Sequence, residues 1–240
     1  MIDIHSHIIY EVDDGASSIS ESLRMMEQAN KLWIKAIVAT PHFHRNIFEP
    51  DRIQEHFDKL SKLALEFNIT LLLGYEVFIS PLISELLEGR KNLTIDDSRY
   101  LLMEFPCNSI PPYSVDTVYK MQLLGITPII AHPERNRRFL ANSGILLDFI
   151  ERGCLIQIDA ASILGVYGIN VKGFAKRLIQ RRMAHFVASD AHYAKDYQNW
   201  YGKAYEKVCR WSSEEYADLL FYRNAEEVLE SSKKCAVYKL

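Results

Sequence analysis

Five histidines and four carboxylates stand where they could hold metal ions. His5-Ser-His7 spaces two imidazoles two residues apart, so a strand would present both on one face. Asp190-Ala-His192 repeats the spacing near the other end of the chain. His42, Glu76, Glu104 and His132 each close an apolar run, and Asp14 follows the first run in Asp13-Asp14-Gly15. These nine donors are too many for one ion and suit two or three, with some carboxylates bridging. A nitrogen and oxygen set without thiolate fits Mn, Zn or Fe better than a structural zinc site. The four carboxylates would cancel four of the roughly six positive charges on three divalent ions, and a bridging hydroxide one more. The small surplus fits an anionic substrate such as a phosphate ester.

Seven apolar runs must position these groups: residues 1–7, 35–42, 69–76, 100–104, 127–132, 154–157 and 185–192. Their polar endings (His5 and His7, His42, Glu76, Glu104, His132, Gln157, Asp190 and His192) include five of the chain's eight histidines. A repeated ending implies strands that share one chemically active end. Between the runs, apolar residues recur every three or four positions, as Leu23, Met26, Ala29 and Trp33 do after the capping-box pattern Ser18-Ile-Ser-Glu21. Ile53, Phe57, Leu60 and Ala64 repeat it, and 81–88, 114–124, 142–152 and 171–182 read as further helices. Gly125 and Gly153 stand where helix C-caps are expected. Continuous apolar strands alternating with helices indicate an α/β fold with a parallel sheet buried on both faces. Because every strand carries a candidate at its end, a closed ring is expected rather than an open sheet. That ring is a distorted TIM-like barrel of about seven parallel strands, with the metal site at their C-terminal ends. One domain spanning 1–240 is expected, with helices at 199–209, 213–222 and 225–231 packed outside the barrel.

Composition excludes several classes. At 48% apolar, 25% charged and net charge −3, the chain reads as globular, and its charge argues against broad nucleic-acid binding by a basic face. Its most apolar stretch, 69–84, contains Gly74, Glu76 and Pro81 and is too short to span a bilayer. Entry into a candidate site at residue 5 leaves no room for a cleavable leader. Cys107, Cys154, Cys209 and Cys235 form no CxxC pair and read as reduced thiols of a cytoplasmic protein. None is followed by arginine at the Cys-x5-Arg spacing, so a cysteine-nucleophile phosphatase is excluded.

The remaining polar residues receive lesser roles. Asp13 is expected to support a ligand, Glu134 to form a salt bridge, and Gln157 to line the site through hydrogen bonds. His44 and Arg45 read as a solvated loop, His56 as helix surface and His185 as the start of its strand. Arg137 and Arg138 read as a solvated helix start that adds positive field at the mouth. The proline-rich loop 106–114, with Tyr113, reads as a stiff wall for an aromatic substrate.

The ordered segments carry a family resemblance. Asp3-Ile-His-Ser-His7, Asp13-Asp-Gly-Ala16, Ala39-Thr-Pro-His42, Gly74-Tyr-Glu76, Glu104-Phe-Pro106, Ala131-His-Pro-Glu-Arg135, Gln157 with 162–165, and Ala188-Ser-Asp-Ala-His192 occur in order over residues 1–192. The chain resembles the PHP (polymerase and histidinol phosphatase) superfamily. Within it, the resemblance is to the bacterial manganese-dependent protein-tyrosine phosphatases of capsule and exopolysaccharide operons. The resemblance implies a first metal on His5, His7, Glu76 and Asp190. Glu76 would bridge to a second, completed by Glu104 and His132, and Asp14, His42 and His192 would hold a third. It implies Arg135 as the phosphate grip, a role its planar donor fork suits. His42 and His192 would set a metal against the leaving oxygen, with no phosphoenzyme. The implied substrate is a phosphotyrosine protein, the tail of a membrane tyrosine autokinase. The alternative is a small-molecule phosphomonoesterase of the histidinol-phosphatase type, which a narrow polar pocket would favour. Two positions depart from the family pattern: Tyr10-Glu11 where Pro-Gly is usual, and Asn136 where an aromatic residue is usual.

Overall fold

Runs rich in Ile, Leu and Val favour extended backbone and bury both faces, and they pair in parallel throughout. The structure, a computed structural model, describes residues 1–43, 49–89 and 93–237. One sheet orders β1 (Ile2–Ser6), β2 (Ala36–Ala39) and β4 (Thr70–Leu73). The other runs β3 (His42–Phe43), β5 (Glu76–Phe78), β6 (Tyr100–Glu104), β7 (Thr127–Ile130), β8 (Leu155–Asp159) and β9 (Phe186–Ala188). An isolated parallel bridge between Ser6 and Ala191 joins the first strand to the segment after the last. The His7 N–H donates to the Ala191 carbonyl at 2.9 Å, and the Asp190 N–H to the His5 carbonyl at 3.0 Å.

Two of the expected strands are each broken in two. Pro41 lacks an N–H and interrupts the run 35–42, so His42 opens β3 in the second sheet. The run 69–76 breaks at Gly74, where a Cβ would press on Val38 at 3.1 Å and Ile95 at 3.3 Å. Glu76 therefore opens β5 rather than closing β4. The break serves the site, because the new register sets His42 beside Glu76.

The helices begin where the sequence supplies caps. Ser18 accepts from the Glu21 N–H ahead of α1 (Ile19–Lys31), and Pro50 opens α2 (Pro50–Ala64). The reciprocal half of the Ser18 capping box is replaced: the Glu21 carboxylate accepts instead from the Ala194 N–H at 2.8 Å. Next come α3 (Ile83–Gly89), α4 (Ser114–Leu123), α5 (Arg137–Ala141), α6 (Ser143–Glu151), α7 (Ala160–Leu164) and α8 (Ile169–Gln180). After β9 come α9 (Ala194–Asp196), α10 (Gly202–Trp211), α11 (Glu214–Asp218) and α12 (Asn224–Val237). Trp33, expected on the buried face of α1, lies beyond its end with φ +59° and is 81% exposed.

Two apolar layers result. The larger lies between strands and helices and includes Ile37, Met103, Ile130, Ile158, Phe139 and Phe174. The smaller lies on the opposite strand face and includes Ile4, Val38, Leu102, Ile129 and Ala188. Ala225 and Val228 of α12 belong to this smaller cluster, so the last helix does not pack outside with α10. It lies against the amino ends of the strands, where the Asn224 amide donates to the His185 carbonyl at 2.7 Å. Among the described residues, no helix is long and apolar enough to cross a membrane.

Candidate metal centre

All nine donors picked out by spacing meet at the carboxyl ends of the strands. They fall into four overlapping groups: His5, His7 and Asp190; His5, Glu76 and His132; His42, Glu76 and Glu104; and His7, Asp14, His42 and His192. In each group the ligand atoms lie within 4.8 Å of one another. Glu76 is the hub. Its Oε1 lies 2.9 Å from His132 Nε2 and 3.5 Å from His5 Nε2, and its Oε2 lies 2.9 Å from His42 Nδ1. Asp190 Oδ1 sits 3.3 Å from His5 Nε2 and 3.4 Å from His7 Nε2. Asp14 Oδ1 is 3.4 Å from the Nε2 of both His42 and His192. Burial is graded: His5, His7 and Glu76 are inaccessible, whereas the Asp14 side chain is 70% exposed and His42 36%. The centre thus opens outward past Asp14 and His42.

Outer hydrogen bonds fix which ring nitrogen faces inward. His5 Nδ1 donates to Gln157 Oε1 at 3.1 Å, His7 Nδ1 to Asp13 Oδ2 at 2.8 Å, and His192 Nδ1 to the Asp190 carbonyl at 2.9 Å. This leaves their Nε2 lone pairs pointing into the cluster, as metal-ligating histidines require. The His5 and His7 Nε2 atoms are 3.2 Å apart, close enough to need positive charge between them. The chemistry of this donor set therefore fits divalent metal ions. Burial alone would lower the affinity of these rings for positive charge. For His5, however, Glu76 and Asp190 overturn that and raise its pKa to about 9. Burial likewise opposes the shift of His42, yet Asp14 and Glu76 raise it to about 10. His5, His132 and His42 hold Glu76 well below the usual carboxylate range despite its burial, and His5, His7 and His132 do the same for Asp190. Glu104 moves the other way, raised by burial and by neighbouring Glu76.

Backbone detail supports the cluster. Asp13 is an organiser, as its position suggested. Its Oδ2 takes the His7 ring and the His42 N–H at 3.1 Å, while Oδ1 takes the Gly15 N–H at 2.9 Å. Gly15 is required by close approach, since a Cβ there would lie 2.1 Å from the His7 carbonyl oxygen. His132 and Asp190 leave their strands through left-handed backbone, φ +30° and +48°. Such conformations cost on the order of 1–3 kcal/mol each and persist where the surroundings enforce them.

Arg135 reaches the cluster from its far side. Its Nη1 lies 2.6 Å from Asp190 Oδ2 and 3.5 Å from Asp159 Oδ2, and its guanidinium lies 4.5 Å from the centre of the Tyr167 ring. Both hydrogen bonds use Nη1, so among the described residues Nε and Nη2 hydrogen-bond no carboxylate. Asp159 and Tyr167 were missed by sequence reasoning. Gln157-Ile-Asp159 has the same alternate spacing as His5-Ser-His7, which was a readable signal; Tyr167 had none. Asp3 was also missed as a support: it accepts from the Ser189 N–H at 2.9 Å and the Tyr197 hydroxyl at 2.7 Å, tying β1 to the Asp190 turn.

Glu134 forms no ion pair among the described residues. It is fully buried, accepts from the Asp159 N–H at 2.9 Å, and burial raises its pKa. His56 is not plain helix surface, for its ring stacks on Tyr10 at 4.0 Å and bonds the Tyr10 carbonyl at 2.8 Å. Asn136 caps α5 by accepting from the Arg138 and Phe139 N–H groups, and its amide donates to the carbonyls of Pro106 and Ser109. That staples the loop 106–114 in place, but Tyr113 points its hydroxyl at the Ile79 carbonyl, 3.4 Å away. The aromatic wall comes instead from Phe43 and Phe78, which with Val12 line a cavity of about 440 Å³ over Asp14, His42, Glu76 and Glu104. His44 and Arg45 lie outside the described residues.

A family described as capsular polysaccharide synthesis, CpsB/CapC, matches residues 1–230. The chain belongs to the CpsB/CapC family. Similar relatives include the tyrosine-protein phosphatase YwqE of Bacillus subtilis, 39% identical over 81% of this chain and 78% of that protein. The tyrosine-protein phosphatase CpsB of Streptococcus agalactiae is 30% identical over 96% of this chain and 99% of its own length. Among solved structures, one from crystal structures of YwqE from Bacillus subtilis and CpsB from Streptococcus pneumoniae superposes with a TM-score of 0.90. It is 35% identical and covers 96% of this chain and 95% of its own, and those proteins are described as unique metal-dependent tyrosine phosphatases. The match to CpsB/CapC runs through every strand that contributes to the cluster.

Proposed function

We propose that this CpsB/CapC protein is a metal-dependent protein-tyrosine phosphatase that hydrolyses phosphotyrosine in protein, with Mn2+ as its metal at two or three sites. One observation carries the reading: nine nitrogen and oxygen donors converge beside a cavity walled by Phe43 and Phe78. The aromatic walls suit a phenyl ring better than the polar chain of histidinol phosphate. The resemblance to enzymes named tyrosine-protein phosphatases supports the same conclusion.

The metals would be shared among His5, His7, Glu76 and Asp190; Glu76, Glu104 and His132; and Asp14, His42 and His192. When bound, such ions supply Lewis acidity toward the phosphoryl group and a nucleophile drawn from water. The chain's own residues do the rest. Arg135 presents the unpaired part of its fork to the equatorial phosphate oxygens, while Asp190 and Asp159 fix its direction. Phe43 and Phe78 hold the ring, and burial of His5, His7 and Glu76 keeps bulk water from the floor of the site. A phenol leaves at a pKa of about 10, so protonation of the leaving oxygen is less demanding than for an alkyl ester. His42 and His192 stand on the exposed side, where that oxygen would depart.

The two sheets read as one distorted TIM-like barrel of about seven strand positions, with β2 continued by β3 and β4 by β5, in a single domain. The protein acts in the cytoplasm, on the tail of a membrane tyrosine autokinase. The test is metal analysis followed by hydrolysis of a phosphotyrosine peptide against histidinol phosphate. Metal-dependent turnover of the peptide is expected, and a preference for histidinol phosphate would sink the assignment.

A further inference from the structure

Arg135 has two sides. One touches the cluster through Asp190, and the other lines a second cavity of about 400 Å³ together with Arg137, Leu140, Tyr167, Asn170 and Val171. This cavity is distinct from the one walled by Phe43 and Phe78. Its composition is specific. Leu140, Val171 and the Tyr167 ring give an apolar surface, and Asn170 adds an amide. The charge of Arg135 is engaged by Asp190 and Asp159 and by the phosphate it is proposed to grip. That of Arg137 is not: its side chain is exposed and pairs with no carboxylate among the described residues. Its position is fixed by the backbone, since the Arg137 N–H donates to the Cys107 carbonyl at 2.8 Å and Asn136 caps the helix that Arg137 opens.

We infer that this cavity is a subsite for an acidic side chain flanking the phosphotyrosine of the protein substrate, with Arg137 as the specificity-determining residue. This rests on the phosphotyrosine reading above. The charge complementarity is direct, because a Glu or Asp side chain would lay its methylene groups on Leu140, Val171 and Tyr167 and bring its carboxylate to Arg137. Arg135 borders both the cluster and the cavity, so the acidic residue would flank the phosphotyrosine along an extended peptide, and the comparison below varies the positions on either side of it.

The experiment compares phosphotyrosine peptides that differ only in carrying Glu, Ala or Lys at the flanking positions. Each is assayed as kcat/KM with the metal-loaded protein, with Arg137→Ala and with Arg137→Glu. The ratio of Glu to Lys peptide is read within each variant, so any general loss of activity cancels. The unaltered protein should favour Glu over Lys by about tenfold at low salt, the sum of one exposed attraction and one repulsion. Arg137→Ala should bring the ratio near one, and Arg137→Glu should invert it. Equal rates for all three peptides, with phosphotyrosine still hydrolysed, would overturn the subsite and leave the phosphatase reading standing. No hydrolysis of any phosphotyrosine peptide or of free phosphotyrosine would overturn both.

Discussion

His5 and His185 sit at opposite ends of the same parallel strands, and both are largely removed from water. His185 precedes β9. Its Nδ1 accepts the Ile156 N–H at 3.1 Å, it forms no ion pair among the described residues, and burial lowers its pKa. His5 ends β1 among Glu76 and Asp190 and is raised to about 9 against the same burial penalty. One ring closes a backbone hydrogen bond; the other waits for positive charge. Left-handed residues divide the same way. At the amino ends, Trp33, Asn68, Gly125, Gly153 and Arg182 take positive φ in the turns that lead from helix into strand. At the carboxyl ends, His132 and Asp190 take it inside the donor cluster. The fold spends its ordinary turn chemistry at one end and concentrates strain and charge at the other.

Breaking the charged end should have the largest effect. Glu76 and Asp190 each face several imidazoles at once. Loss of a mere support of a metal ligand costs about 10–100-fold, so Glu76→Ala and Asp190→Ala should each lower kcat/KM by more than about 100-fold and reduce bound metal. Turnover near the unaltered rate in both variants would refute the metal assignment. Asp13→Ala should fall in the range of about 10–100-fold in metal affinity, because it frees the His7 ring and the His42 N–H together. A metal titration that shows no change would remove Asp13 from the support of the site.

The contrast also predicts a dependence on pH. In the metal-free protein, His5 and His42 are raised to about 9 and about 10. Their contribution to stability is complete below the unfolded value of about 6.5 and is lost as pH rises through the folded values. The melting temperature of metal-free protein should therefore fall between pH 7 and about 10, and added Mn2+ should raise it most at the alkaline end, where no proton competes. A flat metal-free profile over that range would contradict the charge-poor picture of the cluster.

The amino end predicts a different phenotype. His185→Phe leaves the Ile156 N–H without its acceptor, at a cost of about 1–3 kcal/mol. Denaturant unfolding should show that loss while metal content and kcat stay unchanged. A loss of metal in this variant would mean the two ends are coupled.

Much of the carboxyl end could be read from the chain because chemistry there is written in alternate spacing. The paired motifs at residues 5–7 and 190–192 and the endings at Glu76, Glu104 and His132 all arrive at one place. Other features are set by packing that spacing does not encode. A continuous apolar run looks the same whether or not it changes sheet, although Pro41 was a visible sign that 35–42 would break. An amphipathic helix shows that one face is buried, not what covers it, so α12 gave no hint that it packs at the amino ends. The stacking of Tyr167 on Arg135 joins residues far apart in sequence with no shared pattern. Helical periodicity placed Trp33 on the buried face, yet the helix ended first.

The smallest expected effect sharpens the comparison at a single residue. Glu11 lies in the mouth loop at the carboxyl end and takes φ +56°, the left-handed conformation that glycine adopts without strain. A side chain there costs roughly 1–2 kcal/mol, whereas glycine gives back about 0.5–1 kcal/mol through the freedom of its unfolded chain. The Glu11 carboxylate recovers little, since its contact with Arg52 is 3.4 Å long and exposed. Glu11→Gly should therefore raise stability by up to about 1 kcal/mol in denaturant unfolding, with metal affinity unchanged because Glu11 belongs to none of the four donor groups. The same exchange at a helix-ending residue of the amino end, Asn68→Gly at φ +56°, should gain less, because asparagine tolerates that conformation better than glutamate. Equal gains at both positions would show that the mouth loop stores no more strain than an ordinary turn.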